Sequence, residues 1–118
     1  IISDEYFRFE RFNADFLTIK NGVEYLHKYY YENFDINYLA TLSNISEVYF
    51  RRLFKKTFGY PPAEYRIKLR INKACDYLKF TNLPVHIIAE NLGFIDSAYF
   101  TKTFKERYKL TPLQYRSN

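Results

Sequence analysis

The chain has 118 residues, with 18 Lys and Arg against 13 Asp and Glu, a formal net charge of +5, and 47% apolar and 21% aromatic residues. That is the size and makeup of one small, soluble, globular domain. No uninterrupted apolar run is longer than three residues, so neither a membrane span nor the apolar region of a signal peptide can be drawn within it. The single cysteine, Cys75, allows no internal disulfide and no multi-cysteine zinc site. It fits a reducing compartment, so the cytoplasm is expected.

Charge is uneven along the chain. Residues 1–35 carry 4 basic and 7 acidic side chains, and residues 36–118 carry 14 and 6, so the two parts stand at −3 and +8. A local excess of this size fits a surface that meets a polyanion, with nucleic acid the first candidate and an acidic membrane surface the second. A solvated basic face is the plain alternative on charge alone. The first residue is Ile and no Met occurs, which leads us to expect a piece of a longer protein.

Residues 1–20 mix Tyr6, Phe7, Phe9, Phe12 and Phe16 with scattered charges, and read as a linker, or the remnant of a preceding domain, with at most one helical turn. From Asn21, Val23, Leu26, Tyr30 and Phe34 fall at spacings of three and four and predict a helix ending near Asn33. Asp35 suits the N-cap of a short helix carrying Ile36, Leu39, Ala40 and Leu42, which Asn44 stops. Ser46 and Glu47 open a third helix with Phe50, Leu53, Phe54 and Thr57 on one side, closed by Gly59 and Pro61-Pro62. Residues 63–80 form a long amphipathic helix with Tyr65, Leu69, Ala74, Tyr77 and Leu78 at helical spacing. Thr81, Asn82 and Pro84 interrupt it, and Val85, Ile87, Ile88 and Ala89 begin a short helix ending before Gly93. Asp96 caps a helix carrying Phe100, Thr103 and Phe104 inward, and Thr111-Pro112 introduces a last segment with Leu113 and Tyr115. No segment asks to be a strand, so the fold is expected to be all-α.

A shift of fifty residues lays Phe50 on Phe100, Phe54 on Phe104, Lys55 on Lys105, Pro62 on Pro112, Tyr65 on Tyr115 and Arg66 on Arg116. Upstream the register is forty-nine, pairing Leu39 with Ile88, Ala40 with Ala89, Asn44 with Gly93 and Ile45 with Phe94. The second copy thus has one extra residue in its turn, and one unit occurs twice. Each unit is a short helix, a turn, and a second helix with a basic outer face, the layout of a helix-turn-helix. A tight reversal between helices favours positive φ, which Gly93 adopts freely and Asn44 more readily than most residues.

The stretch from Phe34 to Arg116 resembles the tandem helix-turn-helix DNA-binding domain of AraC-type bacterial transcription regulators. The resemblance rests on Ser46, Phe50, Arg52, Leu53, Phe54, Lys55 and Gly59, then Tyr65, Arg70, Ala74 and Leu78. In the second unit it rests on Ile88-Ala89, Gly93-Phe94, Asp96, Tyr99-Phe100, Phe104-Lys105 and Thr111 to Arg116. It implies about seven helices, with two modules (about 21–62 and 81–118, together a domain over 21–118) joined by a long linker helix (about 63–80). It also implies a longer regulator with a sensing or dimerising domain before this one. Lys109 stands where the first copy and much of the family have Gly, so the second recognition helix is expected to end differently.

With the inner face assigned, Val48, Arg51, Arg52 and Lys55 are left on the outside of the first recognition helix. Arg donates two hydrogen bonds to guanine O6 and N7, so Arg51 and Arg52 are the candidate base readers, and Val48 suits a thymine methyl. Ser46, at the helix N-terminus, and Lys55 are expected on phosphate. In the second unit the outer residues are Ser97, Ala98, Thr101 and Lys102 for bases and Lys105 for phosphate, a shorter and less charged set that should discriminate less. The amides near Asp96 could also meet phosphate, though its carboxylate opposes that. Arg66, Lys68, Arg70, Lys73 and Arg116 read as ordinary surface charges. Ala63 to Leu78 would span about 24 Å against roughly 34 Å between successive major-groove faces. Docking in adjacent grooves is therefore feasible with modest DNA bending, and unlike outer faces imply an asymmetric site.

An enzyme is disfavoured: His27 and His86 sit in different helices without spaced carboxylate or cysteine partners, and the three isolated glycines form no phosphate loop. No cofactor and no metal are expected. A protein-interaction module is the other rival. Tyr29 to Tyr31 cannot all face inward on one helix, so RNA polymerase or the absent domain is a candidate additional partner alongside double-stranded DNA.

Overall fold

Phe16, Ile19, Val23 and Leu26 recur at spacings of three and four, and all four are fully buried in the computed structural model. They define α1 (Ala14–Tyr29), and residues 14–118 are those the structure describes. This corrects the expected first helix at both ends. It starts at Ala14 rather than Asn21, because Phe16 and Ile19 extend the apolar stripe by a full turn. It stops at Tyr29 rather than near Asn33, because the carbonyls of Tyr30 and Glu32 turn to the guanidinium of Arg70. Residues 14–20, read as linker, are therefore helical and supply core side chains. The remainder of that segment lies outside the described residues.

Six further helices follow: α2 (Ile36–Leu42), α3 (Glu47–Phe58), α4 (Pro62–Phe80), α5 (Val85–Asn91), α6 (Ser97–Tyr108) and α7 (Pro112–Ser117). The described residues thus make seven helices and no strand, the all-α class expected. The caps are those the sequence names. Asp35 accepts from Asn37 N at 3.1 Å, Ser46 Oγ from Tyr49 N at 3.2 Å, and Asp96 from Tyr99 N at 2.8 Å. Thr111 and Gln114 exchange hydrogen bonds in a capping box at the start of α7. Each satisfies amides that a helix start leaves unpaired.

The helices fall into two compact units, one from α1, α2, α3 and α4 as far as Arg66, the other from residues 30–33 and from Ile67 to the C-terminus. In the first unit, α1, α2 and α3 pack together over Phe16, Ile19, Val23, Leu26, Leu39, Ala40, Phe50 and Phe54, all fully buried. Gly22 lets them close up, because a Cβ there would sit 2.6 Å from both Leu39 O and the Phe50 ring. In the second unit, Ile71, Ala74 and Leu78 of α4 meet Ile88 and Ala89 of α5, Leu92 and Phe94 of the turn, and Phe100 and Phe104 of α6.

The repeat is reproduced in ring geometry. Phe50 and Phe54 lie 5.9 Å apart, as do Phe100 and Phe104. Phe54 meets Tyr65 edge-on at 5.3 Å and 77°, and Phe104 meets Tyr115 at 5.3 Å and 76°, an arrangement aromatic quadrupoles favour. Thr57 is buried as expected, whereas Thr103 is only half-buried.

Candidate nucleic-acid interface

Each unit aims its second helix by the same two devices. At the turn, Asn44 (φ 59) and Gly93 (φ 88) both take the left-handed conformation, and the next residue bonds back to the preceding helix. Ile45 N donates to Ala40 O at 3.2 Å and Phe94 N to Ala89 O at 3.0 Å. At Gly93 a side chain would also strike the Tyr31 carbonyl oxygen. At the far end, Gly59 (φ 82) donates to Lys55 O at 2.7 Å and closes α3.

Lys109 closes α6 in the same way, which corrects the expectation that this helix ends differently. It adopts φ 63, ψ 13 and donates to Lys105 O at 2.8 Å. Its Nζ reaches Glu106 O at 3.0 Å. The register of the repeat imposes the left-handed cap on a residue with a Cβ, at a local cost of about 1–2 kcal/mol.

On α3, Val48 is 80% exposed, and Arg51, Arg52 and Lys55 are exposed as well. Arg51 Nε lies 2.7 Å from Glu47 Oε2, an i,i+4 ion pair at the surface, so its guanidinium is held along the helix. The Arg52 guanidinium stacks over the Tyr49 ring at 5.1 Å, which narrows the positions it can take. Arg51, Arg52, Lys55, Lys56 and Pro61 line a shallow groove. Lys56, absent from the sequence-based set, pairs with Asp15 of α1 at 2.9 Å. Its adjacency to Lys55 was the available signal. Ser46 is exposed, with its hydroxyl engaged in the cap.

On α6, Ala98, Lys102 and Lys105 are exposed and Ser97 and Thr101 half-buried. The candidate residues of each unit thus share one helix, with the apolar side of that helix in the core.

Three of the suspected surface cations are structural. Arg70 is 5% exposed and donates to Tyr30 O, Glu32 O, Gly93 O and Asn33 Oδ1 at 2.7 to 3.0 Å. Arg66 donates to Phe34 O at 2.8 Å and stacks on that ring; burial pulls its pKa below the ordinary value, partly offset by Asp35. Arg116, its counterpart in the repeat, donates to Leu78 O at 3.0 Å and Thr81 O at 3.2 Å. Both arginines tie down carbonyls in the stretch that leads into a helix-turn-helix.

His27 is half-buried with Nε2 at 3.0 Å from the Tyr65 hydroxyl, and burial lowers its pKa to about 4. Cys75 is half-buried beside Tyr108, whose hydroxyl is pushed up to about 12, first by its hydrogen bond to Cys75 and then by burial. Of the three consecutive tyrosines, Tyr29 packs on Tyr25 at 4.6 Å and Tyr30 is half-buried, while Tyr31 is 42% exposed. Among the described residues no helix is long and apolar enough to cross a membrane.

Comparison with known proteins gives this geometry a family. A family model described as a helix-turn-helix domain matches residues 39–118, well over half of the chain. The chain belongs to the AraC-type helix-turn-helix transcription regulators. The uncharacterised regulator YisR of Bacillus subtilis is 33% identical over 95 residues, covering 80% of this chain and 33% of its own length. The chain spans about a quarter to a third of the length of the first curated relatives it matches. The C-terminal domain of AraT, a response regulator from Geobacillus stearothermophilus, superposes with a TM-score of 0.79 at 31% identity, over 85% of this chain and 84% of that one. The DNA-binding domain of AdpA, a global transcriptional factor solved with a target DNA, shares the fold with a TM-score of 0.79 at 24% identity, over 85% of this chain and 90% of that one. The AraC-type family is a DNA-binding class rather than an enzymatic one, and this chain is one of its tandem helix-turn-helix domains.

Proposed function

We propose that this AraC-type domain binds double-stranded DNA sequence-specifically, with α3 and α6 entering successive major grooves of an asymmetric site. The observation that carries the reading is the repeated unit, in which matching turns and caps leave an exposed outer face on each of the two helices. Arg52 and Arg51 read bases from α3, with Val48 on a thymine methyl; Ser97, Ala98, Thr101 and Lys102 read from α6. Ser46, Lys55 and Lys105 meet phosphate, and Lys56 joins Lys55 in the groove beside Pro61. Arg51 exchanges Glu47 for a base on docking, so Arg52 carries the larger share of discrimination.

The same reading makes the chain the DNA-binding part of a longer cytoplasmic regulator. Its sensing or dimerising domain, and any contact with RNA polymerase, belong to that whole protein. Hydroxyl-radical footprinting on a duplex selected from a randomised library tests the proposal. Two protected stretches of unlike sequence one helical turn apart are expected. A single short protected stretch would contradict the use of both helices, and a palindromic pair would contradict the asymmetric site.

A further inference from the structure

The two turns run in step through one hydrogen bond and then part. Ile45 N and Phe94 N make equivalent bonds to Ala40 O and Ala89 O. In the first unit the next residue is the N-cap Ser46, whereas in the second one residue, Ile95, stands between Phe94 and the N-cap Asp96. Ile95 is 87% exposed, more than any other large apolar residue among those described. It serves neither neighbouring structure: Phe94 supplies the core contact at 7% exposed, and the Asp96 side chain makes the cap to Tyr99 N. A branched apolar side chain therefore stands in water where the chain enters the recognition helix.

We propose that Ile95 is a specificity-determining residue of the second half-site and contacts the C5-methyl group of a thymine in the major groove. The inference rests on the DNA-binding reading above. Residues at the N-terminal end of a recognition helix are those that meet base edges, and Ile95 directly precedes that end in α6. Its side chain has no hydrogen-bonding atom, so phosphate oxygens and base nitrogens and oxygens give it nothing, while the thymine methyl is the apolar group on the major-groove edge. The next outward residues continue the same chemistry. Ala98 is exposed and Thr101 carries a methyl and is half-buried, while the exposed Lys102, a base reader, and Lys105, on phosphate, lie further along the helix. Methyl contact at Ile95 thus adds to selection of the α6 half-site, where the α3 half-site is selected mainly by arginine hydrogen bonds.

The test uses the duplex that the wild-type chain selects from a randomised library, with its second half-site located by footprinting. Each thymine there is replaced in turn by deoxyuridine, which removes only the methyl group. Anisotropy titrations follow with the wild-type chain and with Ile95→Ala, a surface change whose folding is checked by circular dichroism. At one position uracil is expected to weaken wild-type binding about fourfold, the factor for one buried methyl group. At that position it leaves Ile95→Ala unaffected, and both chains bind random duplex equally. A uracil penalty as large in Ile95→Ala as in wild type, or no penalty at any thymine, overturns the assignment of Ile95. A wild-type chain that shows no preference for selected over random duplex overturns sequence-specific binding itself, and this inference falls with it.

Discussion

Phe54 meets Tyr65 and Phe104 meets Tyr115 at the same 5.3 Å, yet on the opposite side of the same helices Arg51-Arg52 is replaced by Thr101-Lys102 and Glu47 by Ser97. The Phe-Tyr contacts of the inner faces are held alike because close-packed rings tolerate little change of volume, although Leu53 and Thr57 of the first inner face give way to the half-buried Thr103 and the exposed Arg107. The outer faces answer only to what they touch, and have diverged. The turns show the same division. Asn44 and Gly93 take the same left-handed conformation, but at Gly93 the Tyr31 carbonyl also excludes a side chain. The helix ends show it too, with Gly59 and Lys109 in one conformation at different cost.

The largest expected effect separates the units by their buried charge. Arg70 joins residues 30–33 to the Gly93 turn inside the second unit, and Arg70→Ala leaves those carbonyls without their charged donor. A loss of about 3–5 kcal/mol is expected in urea unfolding. Arg66→Ala, removing the hydrogen bond to Phe34 O in the first unit, should cost about half as much or less. Equal losses would break the contrast.

Next comes acid sensitivity, which belongs to the first unit. His27 titrates near 4 in the folded chain against 6.5 for the unperturbed group, so between those values the unfolded chain holds the extra proton. Its contribution is present in full above pH 6.5 and is lost as pH falls toward 4, by about 3 kcal/mol at most. His27→Gln should flatten that limb of the stability profile; an unchanged limb would place acid sensitivity elsewhere.

The outer faces are compared by Arg52→Ala and Lys102→Ala. Arg52→Ala should weaken binding to a selected site by about 1–3 kcal/mol and relax one base pair, with a smaller loss for Lys102→Ala. Lys55→Ala should weaken specific and random duplexes alike. If Arg52→Ala and Lys55→Ala behave identically on both kinds of DNA, the division into base and phosphate contacts fails. The smallest effect concerns the helix ends. Lys109→Gly relieves the left-handed strain and should stabilise the chain by about 0.5–1 kcal/mol, after allowing for the greater freedom of unfolded Gly. Destabilisation instead would mean that the Lys109 Nζ bond to Glu106 O outweighs the strain.

Much of this was legible in the residues. Asp35, Ser46 and Asp96 announce their caps because a short polar side chain before an apolar period has one favoured use, and the fifty-residue register carries the ring pairs from one copy to the other. The exposed set on α3 follows from the same inner-face assignment. The start of α1 was hidden because Leu17, exposed beside the buried Phe16, blurs the period. Arg70 looked like a surface charge because its partners are backbone carbonyls far away in sequence, which no spacing rule reports. Lys109 carries no signal of a left-handed residue except its alignment with Gly59. Ile95 was visible only as the extra residue of the second turn, and its exposure had to be seen in the fold.

The most direct test of the central claim is the salt dependence of binding between this chain and a random-sequence duplex, followed by fluorescence anisotropy. DNA binding through Lys55, Lys105 and their neighbours predicts a steep linear fall of log affinity with log salt, as several counterions are released. No binding even at low salt would contradict DNA binding by this domain.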